Sequence, residues 1–199
     1  NQKFTVGEDI ITGINNSDLH FIKYGIFTQI SKTYFTNTLT SSFGLRIDGN
    51  SFTESTNSPN LSPRLSLAYN LNNKISVNSN IGRFYQLPSY TILGFDNNGN
   101  YLNKDADYIS CDHAVIGLEY SPSGYSKITL ESFYKSYNNY PFSILDSISL
   151  ANLGGDFGVV GNEDISSISK GNSYGVELLA QQKMSSSIYG ILSATYYRS

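Results

Sequence analysis

Along four segments of the chain, apolar and charged residues alternate with a period of two. Between Thr38 and Asp48, one parity reads Leu39, Ser41, Phe43, Leu45, Ile47, and the other holds Arg46 and Asp48. From Asp112 to Tyr120, Ala114, Ile116, Leu118 and Tyr120 alternate with His113 and Glu119. Between Lys127 and Tyr137, Ile128, Leu130, Ser132 and Tyr134 oppose Glu131 and Lys135. Between Ser173 and Lys183, Tyr174, Val176, Leu178 and Ala180 oppose Glu177 and Lys183. Successive side chains of a strand point to opposite faces, so each segment is a strand with one apolar and one polar face. A soluble sandwich that buries its apolar face produces the same alternation.

The joins between strands separate the two readings. The pattern predicts strands near residues 1–11, 21–31, 36–48, 64–71, 74–83, 112–121, 127–137, 172–184 and 188–198. The joins at Lys32 to Phe35, Asn72-Asn73, Pro122 to Ser126 and Ser185 to Ser187 are tight turns rich in Asn, Pro, Gly and Ser. The alternate joins, Thr12 to His20, Gly49 to Pro63, Phe84 to Cys111 and Asn138 to Gly171, are mostly much longer. Loops of the last two sizes are uncommon inside compact soluble domains. Short turns at one rim and long loops at the other predict an all-β fold. It is an antiparallel up-and-down transmembrane β-barrel segment with short periplasmic turns and long extracellular loops. The positions then turned to lipid are Leu39, Phe43, Leu45, Leu65, Leu67, Ile75, Val77, Ile116, Leu118, Ile128, Leu130, Val176 and Leu178.

Composition narrows the class further. Only 15% of residues are charged, below the quarter or so of an average soluble domain, while 39% are hydrophobic. No apolar run approaches the roughly 20 residues of a spanning helix, so strands must make any membrane crossing. The net charge of −3 offers no basic patch for nucleic acid. Sixteen Tyr and no Trp are present. Tyr69 and Tyr120 fall on the apolar parity near the short turns; Tyr24, Tyr134, Tyr174 and Tyr196 fall on it toward the long loops. That is the spacing of two aromatic belts flanking an apolar band.

Several runs resemble the barrel domain of TonB-dependent outer-membrane receptors. They are Ser62-Pro63-Arg64-Leu65-Ser66-Leu67-Ala68-Tyr69, Ile81-Gly82-Arg83-Phe84-Tyr85-Gln86-Leu87-Pro88-Ser89, and Ile128-Thr129-Leu130-Glu131-Ser132-Phe133-Tyr134-Lys135. His113 with Gly117-Leu118-Glu119-Tyr120, Gly171 to Leu179, and the Gly-x-Arg-x-Asp ending Gly44 to Asp48 are similar to strands of the same receptors, in a style like those of the Bacteroidetes. The resemblance spans nearly the whole chain. It implies a 22-stranded barrel in the full protein, plugged by an N-terminal domain. It also implies import of a scarce nutrient (chelate, glycan or peptide) across the outer membrane of a Gram-negative bacterium, powered by an inner-membrane complex. Residues 1–199 then form a partial barrel domain of about nine strands, an open sheet cut from a longer protein; plug and signal peptide are absent from this sequence.

Catalytic and metal chemistry find no support in the residue pattern, and no cofactor is expected. Cys111, the single cysteine, and His113 alternate onto one side of a strand, but a metal site needs further ligands. Asp96 to Asp107 lacks the bidentate acid of a calcium loop and reads as a turn in an external loop. Gly154-Gly155-Asp156-Phe157-Gly158 lacks the following helix of a phosphate cradle. The candidate substrate contacts are rim and loop aromatics: Tyr85, Tyr90, Tyr101, Tyr137 and Tyr140. Two alternatives stay open on the residues alone: another membrane barrel such as a passive porin, or a soluble all-β carbohydrate-binding module.

Overall fold

The structure is a computed structural model that describes residues 2–6, 9–13, 19–54, 60–97, 100–153, 161–185 and 188–199. Its strands are β1 (Gln2–Val6), β2 (Asp9–Gly13), β3 (Lys23–Tyr34), β4 (Leu39–Asn50), β5 (Asn60–Asn70), β6 (Ile75–Gln86), β7 (Asp96–Asn97), β8 (Asn100–Tyr101), β9 (Ile109–Ser123), β10 (Ser126–Ser143), β11 (Ile148–Ser149), β12 (Ile165–Ser185) and β13 (Ile188–Arg198). One helical turn, α1, covers Tyr90–Leu93.

Among the described residues, eight long strands form one sheet in the order β13-β12-β10-β9-β6-β5-β4-β3, with β11 added at the end of β10. All pairings are antiparallel, each long strand next to its long-strand neighbour in sequence. The sheet does not close on itself. One register row runs across six of its strands: Leu39 pairs with Tyr69, Tyr69 with Val77, Val77 with Leu118, Leu118 with Leu130 and Leu130 with Leu178. Residues directly opposite in antiparallel strands share a face, so the whole apolar set predicted from alternation lies on one side. Much of it is exposed, including Phe43, Leu118, Leu130 and Val176.

The predicted strand at 1–11 is instead the separate hairpin β1–β2. Other strands outrun their predicted ends on the long-loop side. β5 starts at Asn60, β9 at Ile109 and β12 at Ile165, while β10 continues to Ser143. The β10–β12 extension contains register shifts, between Tyr137 and Tyr140 and between Tyr140 and Phe142, while those of β5 and β9 are only three or four residues long, too short for a pattern of their own. Cys111 therefore sits within β9, opposite Tyr137, and not in a loop. Asp112, read as part of a clean segment, shares the apolar face with Ala114, and its cross-strand partner Arg83 stands beside it on that face.

Candidate functional site

The opposite face carries most of the sheet's charge. One register row reads Gly44, Arg64, Gly82, His113, Lys135, Ser173. Arg64 lies over the Phe84 ring at 4.4 Å, and Phe84 packs at 6.0 Å from the His113 imidazole. Toward the long loops Arg46 donates from Nε and Nη2 to both oxygens of Asp48, each at 2.6 Å. Gly25 opposite makes room for this pair, since a Cβ there would lie 2.6 Å from Asp48 Oδ1. Nearer the short turns Lys127 pairs with Glu119 at 2.5 Å. Charged groups held in pairs along and across the strands of this face suit hydrogen bonding to a passing or docked ligand.

Above this wall the long loops fold onto one another. The apolar core of the described residues lies here and not in the sheet: Leu87, Ile92, Leu93, Ala106, Tyr108, Leu150 and Ile165 are buried together. Leu19, Phe21, Phe52 and Leu153 pack against them. Two buried asparagines tie the loops. Asn103, fully buried, donates from Nδ2 to the carbonyls of Ile92 (2.8 Å) and Glu163 (2.9 Å), and its Oδ1 accepts from Ile165 N–H (3.0 Å). Asn50 accepts from the N–H groups of Phe52 and Thr53 and donates to the Tyr108 hydroxyl at 3.2 Å. Burial pushes the Tyr108 phenol above its ordinary pKa, with the Asn50 hydrogen bond opposing the shift. Gly161 adopts φ +94°, and a Cβ there would meet Ile92 Cγ1 at 2.3 Å, so the turn into β12 seats directly on this core. A loop set with its own core and satisfied polar hubs presents a preorganised surface.

The five tyrosines proposed from sequence do not converge on one point. Tyr137 lies on the charged face opposite Cys111. Tyr85 lies on the apolar parity of β6, at its long-loop end, where it too packs on the cap's core. The other three belong to the cap: Tyr90, exposed on α1, meets Phe21 edge-on at 5.7 Å, Tyr101 meets Phe52 at 5.3 Å, and Tyr140 packs on the core. Asn50, Asn103 and Tyr108, which organise the cap, were not foreseen. Nothing in the local sequence separates Asn103 from other loop asparagines; only its burial between two loops does. The Asp96 to Asp107 segment begins with the small hairpin β7–β8, and Gly154 to Gly158 lies outside the described residues. Among the described residues no three His, Cys, Asp or Glu side chains gather into a metal site.

An open up-and-down sheet, apolar on one face and charged on the other, with short turns at one rim and a folded loop cap at the other, is the wall of a large barrel. Residues 4–199 match the family described as TonB dependent receptor-like, beta-barrel. The chain belongs to this family. Among solved structures it is similar to the siderophore receptor PirA of Pseudomonas aeruginosa, at TM-score 0.65 and 18% identity over 89% of this chain and 32% of that one. It is also similar to the FrpB iron transporter of Neisseria meningitidis, F3-3 variant (TM-score 0.62, 12% identity, 89% and 25%). A third is the alcaligin outer-membrane receptor FauA of Bordetella pertussis (0.60, 15%, 89% and 30%). At these identities the likeness concerns the fold. The chain spans about a third or less of each of these structures. No curated protein matches the sequence.

Proposed function

We propose that this TonB-dependent receptor barrel forms part of an outer-membrane transporter that binds a scarce nutrient at the cap and passes it along the charged wall. The observation that carries the reading is the pairing of a self-packed loop cap with a sheet that is apolar on one side and charged on the other. The apolar side meets outer-membrane lipid; the short turns face the periplasm of a Gram-negative cell. Import is powered through a plug and an inner-membrane complex outside this chain, and the role is transport, not catalysis. The Bacteroidetes-like style of the strands belongs to the same proposal. The substrate class best supported is a metal chelate, because a siderophore receptor and an iron transporter are among the proteins of like fold; glycans and peptides are the competing arms.

The test is growth and uptake in a strain lacking the intact parent gene, supplied in turn with ferric chelates, oligosaccharides and peptides under limitation. A defect confined to one class identifies the substrate. Collapsing the proton-motive force should stop uptake and leave surface binding intact. Uptake that survives the collapse would instead make the parent a passive porin.

A further inference from the structure

On the charged face, the register row Gly44, Arg64, Gly82, His113, Lys135, Ser173 carries three basic side chains and no acid. Two other basic groups of this face, Arg46 and Lys127, are held by Asp48 and Glu119. Glu131 and Glu177 stand four residues nearer the short turns than Lys135 and Ser173, about 13 Å along the strands. Among the described residues Arg64 and Lys135 therefore have no carboxylate partner. Arg64 Nε and His113 Nε2 are buried without a hydrogen-bond partner. Buried polar atoms are satisfied as a rule, so two such atoms in one row point to a partner from outside the chain.

The backbone explains how these groups are presented. Arg64 opposite Gly82 is the last rung of the β5–β6 ladder. Pro63, the next residue of β5, has no N–H with which to extend it, and the two strands split beyond this point. Phe84, two residues past Gly82 on the same face, leans back over it: a Cβ at Gly82 would lie 3.3 Å from Phe84 Cε2 and 3.1 Å from Arg64 Cγ. The ring thus sits between the Arg64 guanidinium at 4.4 Å and the His113 imidazole at 6.0 Å. A cation–π contact occupies the flat face of a guanidinium and leaves its in-plane N–H donors for a carboxylate. Lys135 is steadied in the same way over Phe133, at 5.1 Å. Beside Arg64 opens a hollow of about 260 Å³, with Phe27, Gln29, Gly44 and Arg46 among its walls. That is below the roughly 300–1,000 Å³ of a whole ligand site, so the hollow admits a substituent rather than an entire nutrient.

Five residues outward of Gly82 and His113, β6 and β9 run into the cap's core at Leu87 and Tyr108. A solute moving from the cap along the charged face passes this row. We infer that the row is a carboxylate-binding station: Arg64 takes one carboxylate of the nutrient bidentately, and Lys135 with His113 takes a second. The backbones of Arg64 and Lys135 are three strands apart, about 14 Å, and two long side chains bring their charges within reach of one multiply acidic molecule. The inference rests on the transport reading above and adds the substrate's chemistry, a compound bearing two or more carboxylates.

The experiment measures energy-dependent uptake by cells carrying the intact parent, wild type or variant, with probe pairs that differ in their carboxylates. The pairs are ferric citrate against a neutral ferric trihydroxamate, an oligogalacturonate against a malto-oligosaccharide, and a Glu-rich peptide against its Gln counterpart. Within the class that is taken up, the acidic member should be favoured. Arg64→Gln should lower uptake of that acidic probe about ten-fold or more, as a rise in KM, the scale of losing charge-assisted hydrogen bonds. Lys135→Gln should lower it by a smaller factor, and Arg64→Lys, which keeps the charge and loses the fork, should fall between wild type and Arg64→Gln. Neither change should alter uptake of the neutral member. Heat-modifiable gel mobility is followed for every variant, and Lys135→Gln carries the test should Arg64→Gln fail to assemble. Equal uptake of both members, or equal losses for both in the variants, overturns the inference. Unchanged selectivity with a plug that becomes protease-sensitive gives the row to an acidic plug segment and overturns it too. Absence of energy-dependent uptake for every pair refutes the transport reading, whereas uptake without acid preference refutes only the station.

Discussion

Leu130 and Glu131 are neighbours in β10 with opposite fates. Leu130 is 46% exposed and flanked across the sheet by Leu118 and Leu178. Its row lies next above the Tyr120–Ile128 row and two rows below the Ala114–Tyr134 row. Two residues of rise place it about 5 Å above the Tyr120 row, inside an apolar band of roughly 25 Å and short of its middle. Arg on such a wall costs about 2–4 kcal/mol at the midplane and less toward either interface. At 1.4 kcal/mol per factor of ten, the lower bound alone shifts the folding equilibrium about thirty-fold. Glu131 faces the other way, between Gly117 and Glu177. Like charges directly opposite disfavour pairing, so Glu131→Arg replaces a repulsion by an attraction worth about 0.2–1 kcal/mol. In the intact parent, reconstituted into bilayers and unfolded with urea, Leu130→Arg should therefore lose stability or fail to assemble. Glu131→Arg should match or slightly exceed wild type. Heat-modifiable mobility scores assembly for both. Equal stabilities, or the reverse order, would refute the assignment of the apolar face to lipid.

Topology can be read with thiols after Cys111 is replaced by Ser. A cysteine at Leu145, 84% exposed in the cap, should react with an impermeant maleimide on whole cells, and one at Asn73 in a short turn only after the outer membrane is opened; the opposite pattern inverts the barrel. Asn103→Ala leaves two carbonyls and one N–H without their buried partner. It should loosen the cap by about 1–3 kcal/mol, seen as faster amide exchange over residues 87–108 with unchanged barrel mobility. Exchange confined to the wild-type rate would show that the hub does not hold the loops. The raised pKa of Tyr108 means that the folded cap holds the phenolic proton more tightly than the unfolded chain does. Its stabilising effect is full below the unfolded value near 10 and is lost as pH rises through the folded value. Cap opening, read as the exchange rate divided by the intrinsic base-catalysed rate, should increase above about pH 10 in wild type and lose most of that dependence in Tyr108→Phe.

Strand order and face were settled locally. Alternation such as Leu39, Phe43, Leu45 against Arg46 and Asp48 follows from the two-residue period of any strand, so it is visible without partners. Turn residues between Asn70 and Ile75 or between Tyr120 and Ile128 fix antiparallel neighbours by proximity in sequence, which made the sheet order readable too. Strand ends on the long-loop side escaped, because β10 and β12 shift register there and the other extensions are too short to carry a pattern. The β1–β2 hairpin escaped for a related reason, since a short segment pairs with whatever lies nearest. The cap and the basic row depended wholly on tertiary structure. Asn103 bridges residues about sixty positions apart, and Arg83 meets Asp112 only because β6 and β9 become neighbours across a long loop. Alternation assigns a side chain to a face, whereas burial, hydrogen-bond partners and the split at Pro63 arise from which strands and loops finally adjoin.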